Sequence, residues 1–308
     1  MRSTVINLVR GALIGIAEVI PGVSGGTVAL IVGIYRTLIN AVADAVLAVR
    51  RLLGLAGGRP SLRGFGQGLA ALPWRILVPI GVGMGVALIL GARFIEPLLE
   101  EYPAQMRALF FGLVLAGTVV PARMVAASGR WGIRDVLLAL VAAIVLFFLT
   151  GLPPATVTDP SALVILISAA VAICALVLPG VSGSFLLLTV GMYEPTIAAV
   201  NERNIGYLVV FALGAALGLA LFVSVLKWLL EHRARITLVI VTGLMLGSLR
   251  ALWPWQTDDR ELLAPGADLG GIVLLAIAGI AVVAGLLWIE RRLGETEADV
   301  DARLPSQP

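Results

Sequence analysis

Apolar runs of roughly 17 to 25 residues recur along the whole chain, parted by short links that collect arginine, glycine and proline. They fall near residues 5–20, 26–49, 76–92, 106–122, 134–150, 161–178, 183–200, 206–230, 236–252 and 270–289. Each is about as long as an α-helix must be to cross some 30 Å of hydrocarbon, and the weak alternation of a membrane barrel is absent. The pattern predicts an all-α polytopic membrane protein.

A second regularity is repetition. Pro21-Gly22-Val23-Ser24-Gly25 returns as Pro179-Gly180-Val181-Ser182-Gly183, and the same spacing pairs Gly33-Ile34-Tyr35 with Gly191-Met192-Tyr193. Farther on, Gly81, Gly85, Ala87 and Leu88 echo Gly214, Gly218, Ala220 and Leu221, while Gly112-Leu113 and Leu115 echo Gly243-Leu244 and Leu246. The chain reads as a duplication: a first unit over residues 1–155, a second over 156–292, and a polar tail over 293–308. The stretch 50–75 has only a short link at 201–204 for a counterpart and is read as an inserted loop.

Charge then sets the orientation. Residues 50–75 carry Arg50, Arg51, Arg59, Arg63 and Arg75 with no acid; residues 123–134 carry three arginines, and Lys227, Arg233 and Arg235 cluster later. Loops rich in Lys and Arg stay cytoplasmic. The links holding Glu96, Glu100 and Glu101, then Asp159, then Asp258, Asp259 and Glu261 are expected outside. These assignments agree if segments 5–49 and 161–200 each form a re-entrant hairpin that dips in, breaks at Pro-Gly-Val-Ser-Gly and returns. Three spans then follow each hairpin, and their odd number inverts the second unit, with both termini cytoplasmic. Full crossing by all ten segments is the open alternative.

Composition narrows the function. With 59% hydrophobic and 13% charged residues, the chain carries more apolar side chain than a soluble core of its 308 residues needs. The net charge of +3 is arginine in topogenic loops, so no nucleic acid is implied. One cysteine, Cys174, and one histidine, His232, assemble no disulfide, zinc site or haem ligation, so neither cofactor nor metal is expected. Arg2 and Arg10 before an apolar run resemble a signal peptide, but Pro21-Gly22 is a poor cleavage site, and residues 1–30 are expected to stay in the mature chain. Gly22-Val23-Ser24-Gly25-Gly26 matches a nucleophile elbow in letters only: that turn needs a preceding strand and a histidine base. An enzyme is not expected.

The breaks carry the chemistry. Pro21-Gly22 and Pro179-Gly180 stop a helix, since proline disfavours helical geometry before it and glycine adds freedom. Irregular backbone at membrane depth persists where it lines a cavity or is buried in protein, and paired broken helices point to a transporter's binding site. Ser24, Gly25, Gly26 and Thr27, with Ser182, Gly183 and Ser184, begin new helices whose N–H groups and hydroxyls suit a phosphate or carboxylate. The plainer reading makes Ser24 and Ser182 helix caps and the glycines packing residues. Glu18, three residues before Pro21, is a candidate for proton coupling, because a carboxylate at that depth is costly; its counterpart is Leu176. Tyr35, Arg36, Tyr193 and Glu194 are weaker candidates, and Lys227 is expected to snorkel to the surface.

The run Ala17-Glu18-Val19-Ile20-Pro21-Gly22-Val23-Ser24-Gly25-Gly26-Thr27, with Leu178-Pro179-Gly180-Val181-Ser182-Gly183-Ser184 and Gly191-Met192-Tyr193-Glu194, resembles the bacterial polyprenyl-phosphate transporter family over nearly the whole chain. The resemblance implies a multi-pass protein of the cytoplasmic membrane. It would return undecaprenyl phosphate, the cell-envelope lipid carrier, from the outer to the inner leaflet, with protons as a coupling ion. A channel or secondary transporter for a small soluble anion is the rival reading.

Overall fold

A computed structural model describes residues 2–19, 24–57, 59–153, 155, 157–257, 259–266 and 268–303. The first half comprises α1 (Arg2–Val19), α2 (Gly25–Ile31), α3 (Tyr35–Leu52), α4 (Leu62–Ala70), α5 (Trp74–Glu101), α6 (Pro103–Gly117), α7 (Val119–Ala127) and α8 (Ile133–Leu149). The second comprises α9 (Ala162–Val177), α10 (Gly183–Thr189), α11 (Tyr193–Asn201), α12 (Ile205–His232), α13 (Ala234–Ser248), a 3-10 turn Leu249–Leu252, and α14 (Leu269–Arg303). Among the described residues there is no strand, only an isolated bridge between Gln256 and Leu262.

Among the described residues five helical stretches are long and apolar enough to cross a membrane: α5, α6 with α7, α12, α13 with its 3-10 turn, and α14; the bent pair α10 and α11 would make a sixth if it is one span. The helix α8, also apolar, has 17 residues, or about 25 Å at 1.5 Å per residue. The inserted stretch 50–75 is not wholly a loop, since α4 forms inside it and packs on α3. The tail expected from residue 293 continues α14 as helix to Arg303.

Several elements of the two halves match in length, although α4 has no counterpart and α3, at 18 residues, is twice as long as α11. The helices α5 and α12 are both 28 residues long, α6 and α13 both 15, and α2 and α10 both 7. Packing matches too: α1 lies on α5 as α9 lies on α12, while α6 pairs with α14 and α8 with α13, each across the halves. In lipid, apolar surface drives no association between helices, so close approach at small residues does the work. A methyl added to Gly112 would collide with the Ala276 carbonyl, to Gly279 with that of Leu109, and to Gly243 with that of Ala139.

One sequence pairing is corrected by these crossings. Gly214 abuts the carbonyl of Leu166, and on the other side it is Gly83 that abuts the carbonyl of Leu8. Gly81 and Gly85 face open space. The true counterparts of Gly214 and Gly218 are Gly83 and Ala87, consistent with α5 starting at Trp74 where α12 starts at Ile205. Matching letters aligned glycines that lie on different helix faces.

Polar contacts fasten the ends of this bundle. Arg235, at the start of α13, donates to the carbonyls of Val125 (3.1 Å), Gly129 (3.2 Å) and Arg130 (2.7 Å), to the Ser128 hydroxyl (3.0 Å) and to Asp135 (2.7 Å). Lys227 pairs with Asp44 at 2.8 Å, joining α12 to α3 with both side chains partly in solvent. Arg235→Ala is expected to cost about 1–3 kcal/mol and to lower the unfolding midpoint in detergent. Lys227→Met removes an exposed pair worth at most about 1 kcal/mol and is expected to leave that midpoint nearly unchanged.

Candidate functional site

The breaks meet at the centre of the molecule. Ser24 caps α2, its hydroxyl accepting from the Gly26 N–H at 3.2 Å, while Glu18 reaches back from α1 to accept the Gly25 N–H at 3.0 Å. Space between them is tight enough that a methyl on Gly25 would strike the Glu18 carboxylate. Thr27 is fully buried and Ser24 is 1% exposed. The first two donors of α2, expected from sequence to be open, are therefore paired.

The hydroxyls of the first break hold the second. Ser24 Oγ donates to the Leu178 carbonyl at 3.1 Å, with Leu176 O at 3.4 Å, and the Tyr35 hydroxyl donates to Val177 O at 3.1 Å. In return the Gly180 N–H donates to Thr27 Oγ1 at 2.7 Å. The carbonyls that α9 frees where it stops, and the N–H that follows Pro179, thus find partners 142 to 154 residues away in sequence. Buried backbone groups require such partners, and no lipid could supply them.

The second break is arranged differently. Ser182 caps α10, accepting from the Phe185 N–H at 3.4 Å, and its hydroxyl lies 3.0 Å from that of Ser184. Gly183 backs onto the Ala172 carbonyl, which a methyl would approach to 2.6 Å. Beside α10 runs a cavity of about 110 Å³, bounded by Gly180, Ser182, Phe185, Thr189, Thr150 and Ser248 among mainly apolar neighbours. A single water needs only about 10–15 Å³ of such space, so the cavity holds more than one water. After α10, Gly191 turns the chain at φ 75°, and α11 leaves at 109° to α10.

A family model described as VCA0040-like, undecaprenyl phosphate translocase-like, matches residues 14–266. The chain belongs to this family. It is 36% identical over 250 residues to a polyprenyl-phosphate transporter of Vibrio cholerae serotype O1, covering 80% of this chain and 77% of the relative. A polyprenyl-phosphate transporter of Staphylococcus aureus is 26% identical over 265 residues, covering 81% and 86% respectively. No solved structure matches the chain.

In this member of the family the remaining candidates fall apart into separate groups. Tyr35 is buried at the junction of the breaks, whereas its sequence counterpart Tyr193 is 38% exposed. Arg36 and Glu194 are exposed. Pro179 is buried beside Gly180; Pro21 and Gly22 lie outside the described residues. Among the described residues no cluster of three metal-ligating side chains occurs.

Sequence reasoning missed Arg250 and Arg260, which the fold brings against α8 and α10. Arg260 stands in the connection between the 3-10 turn and α14, a stretch whose acids gave it the look of an outer loop. Its one arginine disappears in a charge tally.

Proposed function

We propose that this protein carries polyprenyl phosphate across the bacterial cytoplasmic membrane, from the outer to the inner leaflet, and so recycles the lipid carrier. The two halves act as inverted repeats whose hairpins open to opposite faces. The observation that carries this reading is the pairing of the breaks: the first hairpin's hydroxyls are engaged on the second, while the second borders a cavity. One break is closed by its partner and the other is open beside it. Exchange of these roles would pass a headgroup between faces without either hairpin leaving the membrane.

In the open role, Ser182, Gly183 and Ser184 hold the phosphate. In the exchanged role, Ser24, Gly25, Gly26 and Thr27 take it over once their hydroxyls leave Leu178 and Gly180. Pro179 and Gly180, with Pro21 and Gly22, are the points about which the backbone bends. The apolar lining beside Phe185 and Leu186 suits a headgroup whose prenyl tail stays in lipid. A soluble anion has no use for such a wall.

Glu18 couples the cycle to protons, because it holds the Gly25 N–H that the phosphate must take over. Glu18→Gln keeps an acceptor oxygen at that place and removes the titratable group. Transport by this variant is expected to proceed but to lose its dependence on a pH gradient. An unchanged dependence removes Glu18 from coupling.

The transport reading is tested in vesicles containing the purified protein and labelled polyprenyl phosphate, by following loss of label from the outer leaflet. The label is expected to leave faster with protein, and the Ser24→Ala/Ser182→Ala double variant is expected to be slower. Equal rates with and without protein would overturn the reading.

A further inference from the structure

Arg260 is 8% exposed, yet no carboxylate among the described residues pairs with it. Its Nη1 donates to Leu152 O and to Thr189 Oγ1, both at 2.8 Å, and its guanidinium lies 4.0 Å from the ring centre of Phe185. Its Nη2 is buried without a hydrogen-bond partner. Arg250 lies over Phe147 at 4.7 Å and donates through Nη2 to the Arg260 backbone carbonyl at 3.3 Å, while its Nε is likewise buried and unpartnered.

A purely structural role accounts for part of this. Arg260 ties the end of α10 to the end of α8, and a cation there also suits the helix dipole. That role uses Nη1 alone. A buried guanidinium donor without an acceptor costs free energy, and here each arginine keeps one such donor, with no carboxylate among the described residues paired to Arg260. The arrangement calls for a ligand that is multiply negative and offers several acceptor oxygens, which describes a phosphate monoester; arginine's planar fork favours that partner over a single charge.

Position agrees with chemistry. Phe185 and Thr189, the two α10 residues that Arg260 touches, both border the cavity that reaches Ser182. Thr189 and Ser182 stand at opposite ends of α10, about 10 Å apart at 1.5 Å per residue. A single phosphate group cannot touch both ends at once.

We propose that Arg250 and Arg260 form a separate receiving station for a phosphate monoester, at the far end of α10 from the break, from which the headgroup moves along the cavity to Ser182. This rests on the transport reading, since it names the step before the phosphate reaches the break. The arginines are positioned to draw the headgroup from the face where the 253–268 connection lies.

The test is ligand-induced stabilisation of the full-length protein in detergent, titrated separately with polyprenyl phosphate, with the corresponding polyprenol and with inorganic phosphate. Polyprenyl phosphate is expected to raise the unfolding midpoint of the wild type and polyprenol to leave it unchanged. Half-saturation is expected to rise at least tenfold in Arg260→Gln and in Arg250→Gln, and less in Arg260→Lys; the exposed Arg130→Gln serves as a charge control and is expected to match the wild type. Should Arg260→Gln fail to fold, Arg250→Gln and Arg260→Lys still decide. Wild-type binding with unchanged half-saturation in the arginine variants overturns the receiving station and leaves the transport reading standing. Equal, arginine-dependent stabilisation by inorganic phosphate keeps the phosphate station and overturns the lipid reading. No stabilisation of the wild type by either phosphate overturns both.

Discussion

Gly180→Ala is expected to abolish transport and to lower the unfolding midpoint more than any other single methyl addition at the breaks. Gly180 sits at φ 87°, in the left-handed region, and an added methyl would lie 2.8 Å from the Met245 backbone of α13. The left-handed conformation costs a non-glycine residue about 1–2 kcal/mol, and overpacking a tight contact typically about 1–3 kcal/mol. Relief by shifting the backbone would pull the Gly180 N–H from Thr27, breaking the contact that joins the two hairpins. Gly81→Ala, where the methyl meets open space, is the matched control and is expected to behave as wild type in both transport and unfolding.

The second large effect is expected from Ser24→Ala combined with Thr27→Val. This pair strips the Leu178 carbonyl and the Gly180 N–H of their partners while keeping the volumes of the side chains close. Each buried group left unpaired costs about 1–3 kcal/mol, and the two sites share one junction, so their effects should not simply add. Unfolding midpoints of the two single variants and the double variant, set in a cycle, measure the coupling. Thr27→Ser, which keeps the acceptor oxygen, is expected to recover most of the loss.

Much of the architecture could be read before the structure because lipid leaves few options. Backbone groups in hydrocarbon must be satisfied within helices, so the apolar runs located the crossing helices, and duplicated proline and glycine located the breaks. Contacts between the halves were out of reach. The bonds from Ser24 to Leu178 and from Tyr35 to Val177 join distant parts of the chain, and no local pattern encodes them. Tyr35 and Tyr193 share a motif but not an environment: Tyr35 is buried and donates to Val177 O, whereas Tyr193 is 38% exposed.

Two misreadings have instructive causes. Gly81 and Gly85 matched Gly214 and Gly218 by letter, yet helix packing selects a face, and that face carries Gly83 and Ala87. Arg260 was hidden because loop charge was used to assign sides, and a tally cannot tell a solvated arginine from one buried on Phe185. A cation amid acids in a connection that returns to a broken helix is the signal that would have found it.

Inverted opening of the two breaks is tested most directly by sided thiol labelling. Ser24→Cys and Ser182→Cys, each in a Cys174→Ala background, are exposed to a membrane-impermeant maleimide from one face of the vesicle and then from the other. Ser182→Cys is expected to react from one face and Ser24→Cys from the opposite face, with polyprenyl phosphate slowing both. Labelling of both positions from the same face, or labelling indifferent to polyprenyl phosphate, would contradict two breaks that share one headgroup from opposite sides.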